Sequence, residues 1–273
     1  IDIISYACKI SFENIDFGGF WESKQNTNRD VTMPVIYKQF YETGRVTAFA
    51  CDWKPGDEKK PHIFWDSDIA KWIESVAYSL INAPDENLEE VIDIIVDWIH
   101  DNQFLDGYFN IYHTVCDPTR RFTNRDAHEL YCAGHLMEAA VAYYNATGKD
   151  KFLKVMCDYA DMIEKAFVTE KWAEFESPGH EEIELALVKL WKTTGEKRYL
   201  DLSKHFVDIR GQECDEYTQA HMPVREQKDA VGHSVRAVYL YCAMADLAAA
   251  FGDETLFDAA DKLFDSMAKK RMY

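Results

Sequence analysis

The sequence predicts an all-α protein built from sequential helical hairpins. Three observations support this fold class: few helix-breaking residues, an internal repeat, and two alternating kinds of helix. Glycine accounts for 12 of the 273 residues and proline for 7, below the average usage of about 7% and 5%. Long uninterrupted elements follow from this composition, which favours helices over a sandwich of short strands.

The internal repeat consists of a helix, a glycine turn and a second helix that an acidic residue opens. It reads TGKDKF around Gly148, TGEKRY around Gly195 and FGDETL around Gly252, and a degenerate copy without the glycine spans residues 78–88. Glycine after a helix adopts the left-handed conformation that ends it, and an acidic residue is favourable at the start of the next helix. Each copy therefore predicts one helical hairpin.

The two helices of each hairpin differ in their polarity. The second helices carry polar stripes, such as Lys151, Lys154 and Asp158, whereas first helices such as residues 235–251 are apolar nearly all round. A helix that is apolar on all sides is buried on all sides. Inner and outer helices of this kind are typical of an α/α barrel, and a linear helical solenoid is the alternative. We expect inner helices near residues 67–81, 127–146, 180–193 and 233–250.

The remaining segments complete the predicted organisation. We expect a short extended lead-in over residues 1–20 and a barrel domain over residues 21–273. Within that domain the patterns predict a helix over residues 35–41, a loop over 51–61, a helix over 84–101 and an irregular region over 104–125.

Charge and cysteine content exclude several classes of function. The formal net charge of −18 argues against nucleic acid and against an anionic membrane as partners. No run of 18 apolar residues without charge is present, and the start shows no signal-peptide pattern. The seven cysteines are odd in number and form no CxxC pair, which predicts buried free thiols and a cytoplasmic location.

Three histidines recur at the predicted starts of three first helices: His128, His180 and His233. A single such histidine is more often a capping or core residue than a ligand. Their recurrence at equivalent positions favours a different interpretation, in which all three side chains converge on one pocket at the end of the inner ring.

Two other groups of polar residues have competing interpretations. His128, Cys132 and His135 have helical spacing, but one helix offers too few ligands for zinc, so we predict no metal site there. Trp65, Asp66 and Asp68 enter the first inner helix. They could line a sugar pocket with an acid/base pair, or they could cap and pack the helix.

Several long motifs resemble the β-L-arabinofuranosidases of glycoside hydrolase family 127. The matching runs are HIFWDSDIAKWIE from His62, DGYFN from Asp106, RDAHELYCAGHLMEAAVAY from Arg125, GHEEIELALVKL from Gly179 and QAHMPVREQKDAVGHSVRAVYLY from Gln219. The resemblance covers residues 17–273. It implies an α/α six-hairpin barrel, of which this chain would contain only a part, followed in the family by β-sandwich regions.

The family resemblance also implies an unusual catalytic chemistry. In family members a cysteine thiolate on a zinc ion is the nucleophile of a retaining mechanism, and a glutamate is the acid/base. The motifs imply that these residues and the zinc ligands lie beyond residue 273, so we assign no catalytic residue and no metal ligand to this chain. The motifs also imply that His128, His180 and His233 contact the arabinofuranose. The connection from Arg210 to Tyr217 is shorter than the family pattern.

The function expected from the sequence is therefore the sugar-binding part of a glycosidase that removes non-reducing-end β-L-arabinofuranose. The expected substrate is an arabinose-containing oligosaccharide or glycoside, zinc is expected only in the complete family protein, and a homodimer is included among the expected assemblies. Two alternatives stay open. One is a non-catalytic helical module that binds sugar or protein, and the other is an α/α-barrel sugar hydrolase that uses Asp66 or Asp68.

Overall fold

A computed structural model of the chain describes Ile10, residues 12–212 and residues 214–272. Within these residues the regular secondary structure is helical, with no strand. The eleven α-helices are α1 Phe20–Thr27, α2 Met33–Glu42, α3 Trp65–Asn82, α4 Glu86–Asn102, α5 Ile111–Val115, α6 Glu129–Thr147, α7 Lys151–Glu164, α8 Ile183–Thr194, α9 Lys197–Ile209, α10 Ser234–Phe251 and α11 Glu254–Lys270. The predicted fold class is confirmed, because the helices follow one another as hairpins.

The chain divides into two compact units. We call residues 12–121 and 135–163 the N-terminal unit, and residues 122–134 and 164–272 the histidine unit.

The N-terminal unit contains the hairpin of α3 and α4. Its turn is fixed by Asp85, whose Oδ1 accepts hydrogen bonds from the backbone N–H groups of Asn87 at 2.9 Å and Leu88 at 3.2 Å. This is the side-chain cap that the sequence pattern predicts. Helix α2 is tied to α3 because Trp72 Nε1 donates to the carbonyl oxygen of Met33 at 3.1 Å.

The histidine unit is built on two hairpins, α8 with α9 and α10 with α11. Their shared core includes Val188, Val207, Leu240 and Leu263, all of which are fully buried. At about 1.5–3 kcal/mol for each large apolar side chain removed from water, this core stabilises the unit. Arg225 adds a link across its surface, since its guanidinium pairs with Asp208 at 2.7 Å and with Asp253 at 2.6 Å.

The glycine turns of the repeat are confirmed. Gly148, Gly195 and Gly252 all have positive φ, of 73°, 76° and 64°, and the last two cap α8 and α10 in the left-handed conformation. The first helix of each hairpin therefore ends where the sequence pattern predicts.

Two element predictions need correction. Helix α8 begins at Ile183 rather than at residue 180, because the carbonyl oxygen of Pro178 is held outside the helix by hydrogen bonds from Arg125 and Arg210. In the predicted lead-in, residues 1–9 and 11 lie outside the described residues, and Phe12–Asn14 form a short 3-10 helix. The segment from Phe20 onward is helical, although α1 has no buried residue.

The cysteines that the structure describes form no disulfide with one another, but most of them are not buried. Of the six that the structure describes, only Cys132 is buried, while Cys214 and Cys242 are exposed. The expectation of buried thiols is thus wrong for most positions, because these cysteines fall on loops or on outward-facing helix positions.

Helix α10 is long and apolar enough to cross a membrane by length and composition alone. It carries Arg236 and Asp246, and its residues Leu240, Met244 and Leu247 are fully buried in the histidine unit. A core helix can have the same length and composition. The burial of these three residues is what a core helix shows.

Candidate sugar-binding site

His128 ends a short 3-10 helix, Arg125–Ala127, and lies immediately before α6. The turn is capped by Asn124, whose side chain accepts a hydrogen bond from Asp126 N–H at 3.0 Å. His128 itself has φ 62°, a left-handed conformation that is uncommon for a residue with a side chain. Its ring is fixed because Nδ1 donates to the carbonyl oxygen of Asp126 at 2.5 Å.

His180 lies in the segment before α8, three residues ahead of its first turn. The segment passes so close to the His128 turn that only glycine fits at the preceding position. A Cβ on Gly179 would lie 2.7 Å from the carbonyl oxygen of Arg125. The ring of His180 is oriented by its own neighbour, since Nδ1 donates to the carbonyl oxygen of Glu181 at 2.8 Å.

His233 is the N-cap residue of α10. Its backbone N–H donates to the carbonyl oxygen of Tyr217 at 3.1 Å, and its Nδ1 accepts from the backbone N–H of Arg236 at 3.5 Å. The preceding Gly232 has φ 71°, and a Cβ there would lie 2.0 Å from the carbonyl oxygen of Glu216. As at His180, a glycine before the histidine permits a close approach of two backbones.

The structure brings the three predicted histidines together. The ring centroids of His128 and His180 are 5.8 Å apart, and those of His180 and His233 are also 5.8 Å apart. We call these three residues the histidine cluster. Its members come from three different segments of the histidine unit, so the recurrence in the sequence corresponds to convergence in space.

Three tyrosine side chains that the sequence patterns did not indicate lie around the cluster. Tyr131 lies 4.4 Å and Tyr239 6.0 Å from His180, and Tyr217 lies 5.5 Å from His233, all measured between ring centroids. Tyr131 could have been found, because it follows His128 by three residues at a helix start and such residues share a face. Tyr217 and Tyr239 carry no comparable sequence signal.

The backbone partners of the three rings fix their tautomers. Nδ1 of His128 and of His180 faces a carbonyl oxygen, so it carries the proton, and the Nε2 of the neutral ring is an acceptor. Nδ1 of His233 faces a backbone N–H group, so in the neutral ring the proton is on Nε2, which is a donor. The cluster thus offers two acceptors and one donor, a pattern that matches sugar hydroxyls because each hydroxyl can both donate and accept.

The central ring is held neutral. Burial first, together with the charges of Arg236, His128 and His233, lowers the pKa of His180 to about 4, against the raising effect of its bond to Glu181. At neutral pH its acceptor nitrogen is therefore available.

Arg236 brings a positive charge to the same region. Its guanidinium lies 4.6 Å from the centre of the Tyr217 ring. The residue is only 8% exposed, and Nε finds no hydrogen-bond partner among the residues that the structure describes. A buried N–H donor without an acceptor is costly, so the Nε position favours a ligand that brings an oxygen atom.

Behind His180 lies a group of buried ionisable residues. Arg210 lies 3.0 Å from Glu181 Oε1 and donates to Glu184 Oε1 at 3.0 Å. The carboxylate of Glu181 is fully buried, and neither of its oxygens has a hydrogen bond of suitable geometry to any of the described residues. Burial therefore outweighs the attraction of Arg210 and raises the pKa of Glu181 to about 7.

The three other predicted pocket residues lie in the N-terminal unit, at the start of α3. Asp66 is fully buried, its Oδ1 accepts from Ile111 N–H at 2.9 Å, and burial raises its pKa to about 7. Asp68 pairs with Arg45 at 2.9 Å, and the guanidinium of Arg45 lies 5.5 Å from the ring of Trp65. These contacts account for Trp65, Asp66 and Asp68 without a ligand, and their place in a sugar pocket stays a prediction.

Two of the described cysteines do not fit the zinc–thiolate chemistry that the family resemblance implies. A thiolate ligand requires a lowered thiol pKa, whereas burial raises the pKa of Cys51 to about 12 and also raises that of Cys116. Of the predicted helical triplet, His128 lies outside α6 and is bonded to the backbone, and His135 belongs to the other unit. There His135 lies 3.7 Å from Glu138, both side chains being buried. Imidazole and carboxylate are both metal ligands.

A family comparison decides the assignment of the chain. The family model described as the β-L-arabinofuranosidase, GH127 catalytic domain, matches residues 15–273. The chain belongs to this family. The resemblance seen in the motifs is confirmed.

Individual relatives agree with the family match. The chain is 37% identical over 245 residues to a non-reducing end β-L-arabinofuranosidase of Bifidobacterium longum subsp. longum, covering 80% of this chain and 37% of that protein. It resembles the crystal structure of a GH127 β-L-arabinofuranosidase from Geobacillus stearothermophilus T6, with a TM-score of 0.90 and 41% identity over 95% of this chain and 46% of the other. A GH127 β-arabinofuranosidase structure gives a TM-score of 0.90 and 38% identity over 97% and 44% of the two chains. The chain thus spans less than half the length of these relatives.

Proposed function

We propose that this chain supplies the sugar-binding part of a glycoside hydrolase that removes β-L-arabinofuranose from non-reducing ends by a retaining mechanism. The observation that carries the proposal is the histidine cluster, in which His128, His180 and His233 meet from three segments with fixed tautomers. Family membership supports the choice of sugar, because the relative from Bifidobacterium longum is named for this activity.

The part of the chain's own residues is to bind and orient the sugar. Nε2 of His128 and His180 would accept hydrogen bonds from two hydroxyls, and Nε2 of His233 would donate to an oxygen. The rings of Tyr131, Tyr217 and Tyr239 surround the cluster and would pack against the apolar faces of the sugar. Nε of Arg236 would donate a hydrogen bond to a further oxygen atom.

The reacting groups are proposed to come from elsewhere in the complete polypeptide. In the family chemistry the zinc ion supplies an activated thiolate nucleophile, and its ligands are expected beyond residue 273. Binding alone gives no turnover, because only interactions that strengthen in the transition state accelerate the reaction. A cytoplasmic location, a homodimer and the absence of a membrane partner are proposed with this function on the grounds given by the sequence.

The test is hydrolysis of an aryl β-L-arabinofuranoside by the complete polypeptide and by its His180→Ala variant. The variant removes one hydrogen bond to the sugar, and we expect kcat/KM to fall by an amount equal to about 1–3 kcal/mol. His205→Ala is the matched control, since His205 is a half-buried histidine on α9 of the same unit, outside the cluster.

The two variants separate the possible results. A loss of activity confined to His180→Ala supports the sugar-binding role. An equal loss in both variants would mean that the unit is merely destabilised, and a wild-type protein with no activity on the glycoside would refute the proposed reaction.

A further inference from the structure

The three segments of the histidine cluster share one polar side chain. Arg125 lies three residues before His128, on the short 3-10 helix that ends at this histidine. Its Nε donates to the carbonyl oxygen of Ser177 at 3.2 Å, and its Nη2 donates to that of Pro178 at 3.4 Å. Both carbonyl groups lie on the segment that leads to His180.

The same guanidinium also reaches the third segment. Arg125 Nη2 donates to Thr218 Oγ1 at 3.0 Å, and the Thr218 hydroxyl in turn donates to Asp215 Oδ2 at 2.7 Å. Thr218 follows directly on Tyr217, whose carbonyl oxygen accepts the backbone N–H of His233. The guanidinium of Arg125, which lies on the His128 segment, is therefore hydrogen-bonded to the His180 segment and to Thr218, whose neighbour Tyr217 holds the backbone of His233.

A second arginine donates hydrogen bonds to two of the same residues. Arg210, which is 1% exposed, donates to the carbonyl oxygen of Thr218 at 2.9 Å and to that of Pro178 at 3.0 Å. Pro178 and Thr218 thus each receive hydrogen bonds from both arginines. The contact of Gly179 with the backbone of Arg125 fixes the first two segments against each other as well.

We propose that Arg125 is a positioning residue for the histidine cluster. It sets the spacing of His128, His180 and His233, and the proposal includes no contact between Arg125 and the sugar. A guanidinium suits this role because its planar fork directs several N–H donors at fixed angles, whereas a lysine offers a compact charge that cannot reach all three acceptors in the same geometry. The proposal rests on the proposed function, since it treats the cluster as the sugar-binding group.

The experiment compares Arg125→Ala with Arg225→Ala in the complete polypeptide. Arg225 is the matched control because it is a half-buried arginine of the same unit whose two ion pairs, to Asp208 and Asp253, lie outside the three segments. A misplacement of binding groups by about 1 Å can cost roughly 100-fold. We therefore expect kcat/KM to fall about 10- to 100-fold in Arg125→Ala and by much less in Arg225→Ala, at similar losses of thermal stability.

Chemical rescue distinguishes positioning from general stability. Free guanidinium ion should restore part of the activity of Arg125→Ala, by filling the space of the lost side chain, and should not restore Arg225→Ala. Arg125→Lys should be less active than Arg125→Ala to which guanidinium ion has been added. Equal activity losses in Arg125→Ala and Arg225→Ala, or no response to guanidinium, would overturn the proposal.

A spectroscopic measurement tests the same idea without enzyme activity. In protein labelled with 15N-histidine, the ring nitrogen resonances report tautomer and hydrogen bonding. Arg125→Ala should shift the resonances of His180 and His233 as well as those of His128. A shift confined to His128 would overturn the proposal. If all three resonances shift while the wild-type protein does not cleave the glycoside, the positioning role stands and the proposed function fails.

Discussion

Glu181→Gln should change how the stability of the histidine unit depends on pH. Glu181 is a fully buried carboxyl whose pKa burial raises from an ordinary 4.5 to about 7. Between these two values the unfolded chain has released the proton while the folded chain still holds it. Rising pH therefore favours the unfolded state, and the wild-type protein loses stability over this range. Glutamine resembles the protonated carboxyl and does not titrate.

The size of the effect follows from the two pKa values. The difference between 4.5 and about 7, at about 1.4 kcal/mol per pH unit, amounts to about 3 kcal/mol. We expect the free energy of unfolding of Glu181→Gln, relative to the wild type, to rise by this amount between pH 4.5 and pH 7.5. Contributions common to both proteins cancel in this difference. One of them is that of His180, which has the opposite trend because it stabilises the protein less as pH falls below the usual pKa of a histidine.

The assay is urea unfolding monitored by tryptophan fluorescence at several pH values. Glu174→Gln is the control, because Glu174 is an exposed carboxylate on the same segment. A constant offset is expected from the loss of the contact with Arg210, so the slope and not the offset carries the prediction. A relative stability that is independent of pH, or that falls as pH rises, would show that Arg210 keeps Glu181 ionised and that the electrostatic reasoning is wrong.

Three further predictions concern binding and catalysis. The pKa of His180 is lowered to about 4, so protonation of His180 should weaken sugar binding by the complete polypeptide only as the pH approaches 4, where its acceptor nitrogen becomes a donor. Calorimetric titrations with L-arabinose measure this affinity, and a loss of half of this contact near pH 6.5 would contradict the prediction. The 273-residue chain expressed alone should not hydrolyse an aryl β-L-arabinofuranoside, and turnover that disappears in Asp66→Asn or Asp68→Asn would instead support a carboxylate mechanism. Metal analysis of the same isolated chain should show no stoichiometric zinc, since the thiols of Cys51 and Cys116 have raised pKa values.

The hairpins were predictable because their signals are local. A glycine in the left-handed conformation ends a helix within its own turn, so Gly148, Gly195 and Gly252 mark the boundaries directly in the sequence. Asp85 caps α4 through N–H groups only two and three residues away. In each case the residue that causes the structure is adjacent to the structure it causes.

Helix α1 was missed because its pattern carries no burial signal. Phe20 and Trp21 are more than half exposed, at 65% and 62%, and no residue of α1 is buried. Sequence periodicity detects helices through the apolar face that they bury. A helix without such a face is invisible to that argument, even though its backbone is regular.

The histidine cluster was predictable only in part, because recurrence in the sequence gives the members but not their chemistry. All three histidines were found as a repeated feature of hairpin starts. Their tautomers depend on which backbone group faces Nδ1, a carbonyl at His128 and His180 and an N–H group at His233. Arg125 and Thr218 are 93 residues apart, a separation at which no local pattern indicates contact.

The location of the histidines outside the helices explains why such long-range links are needed. Helical residues are fixed by the hydrogen bonds of their own helix, but His180 lies three residues before α8, and His128 and His233 join their helices only through their carbonyl oxygens, which accept from Cys132 N–H and Ala237 N–H. Their positions are set instead by glycine contacts at Gly179 and Gly232 and by the bonds of Arg125 and Arg210 to backbone carbonyls. A binding site built from loop segments requires such supporting bonds to hold its geometry. The same arrangement gives each ring a backbone partner that a helix would have used internally, and this is what fixes two acceptors and one donor in the cluster.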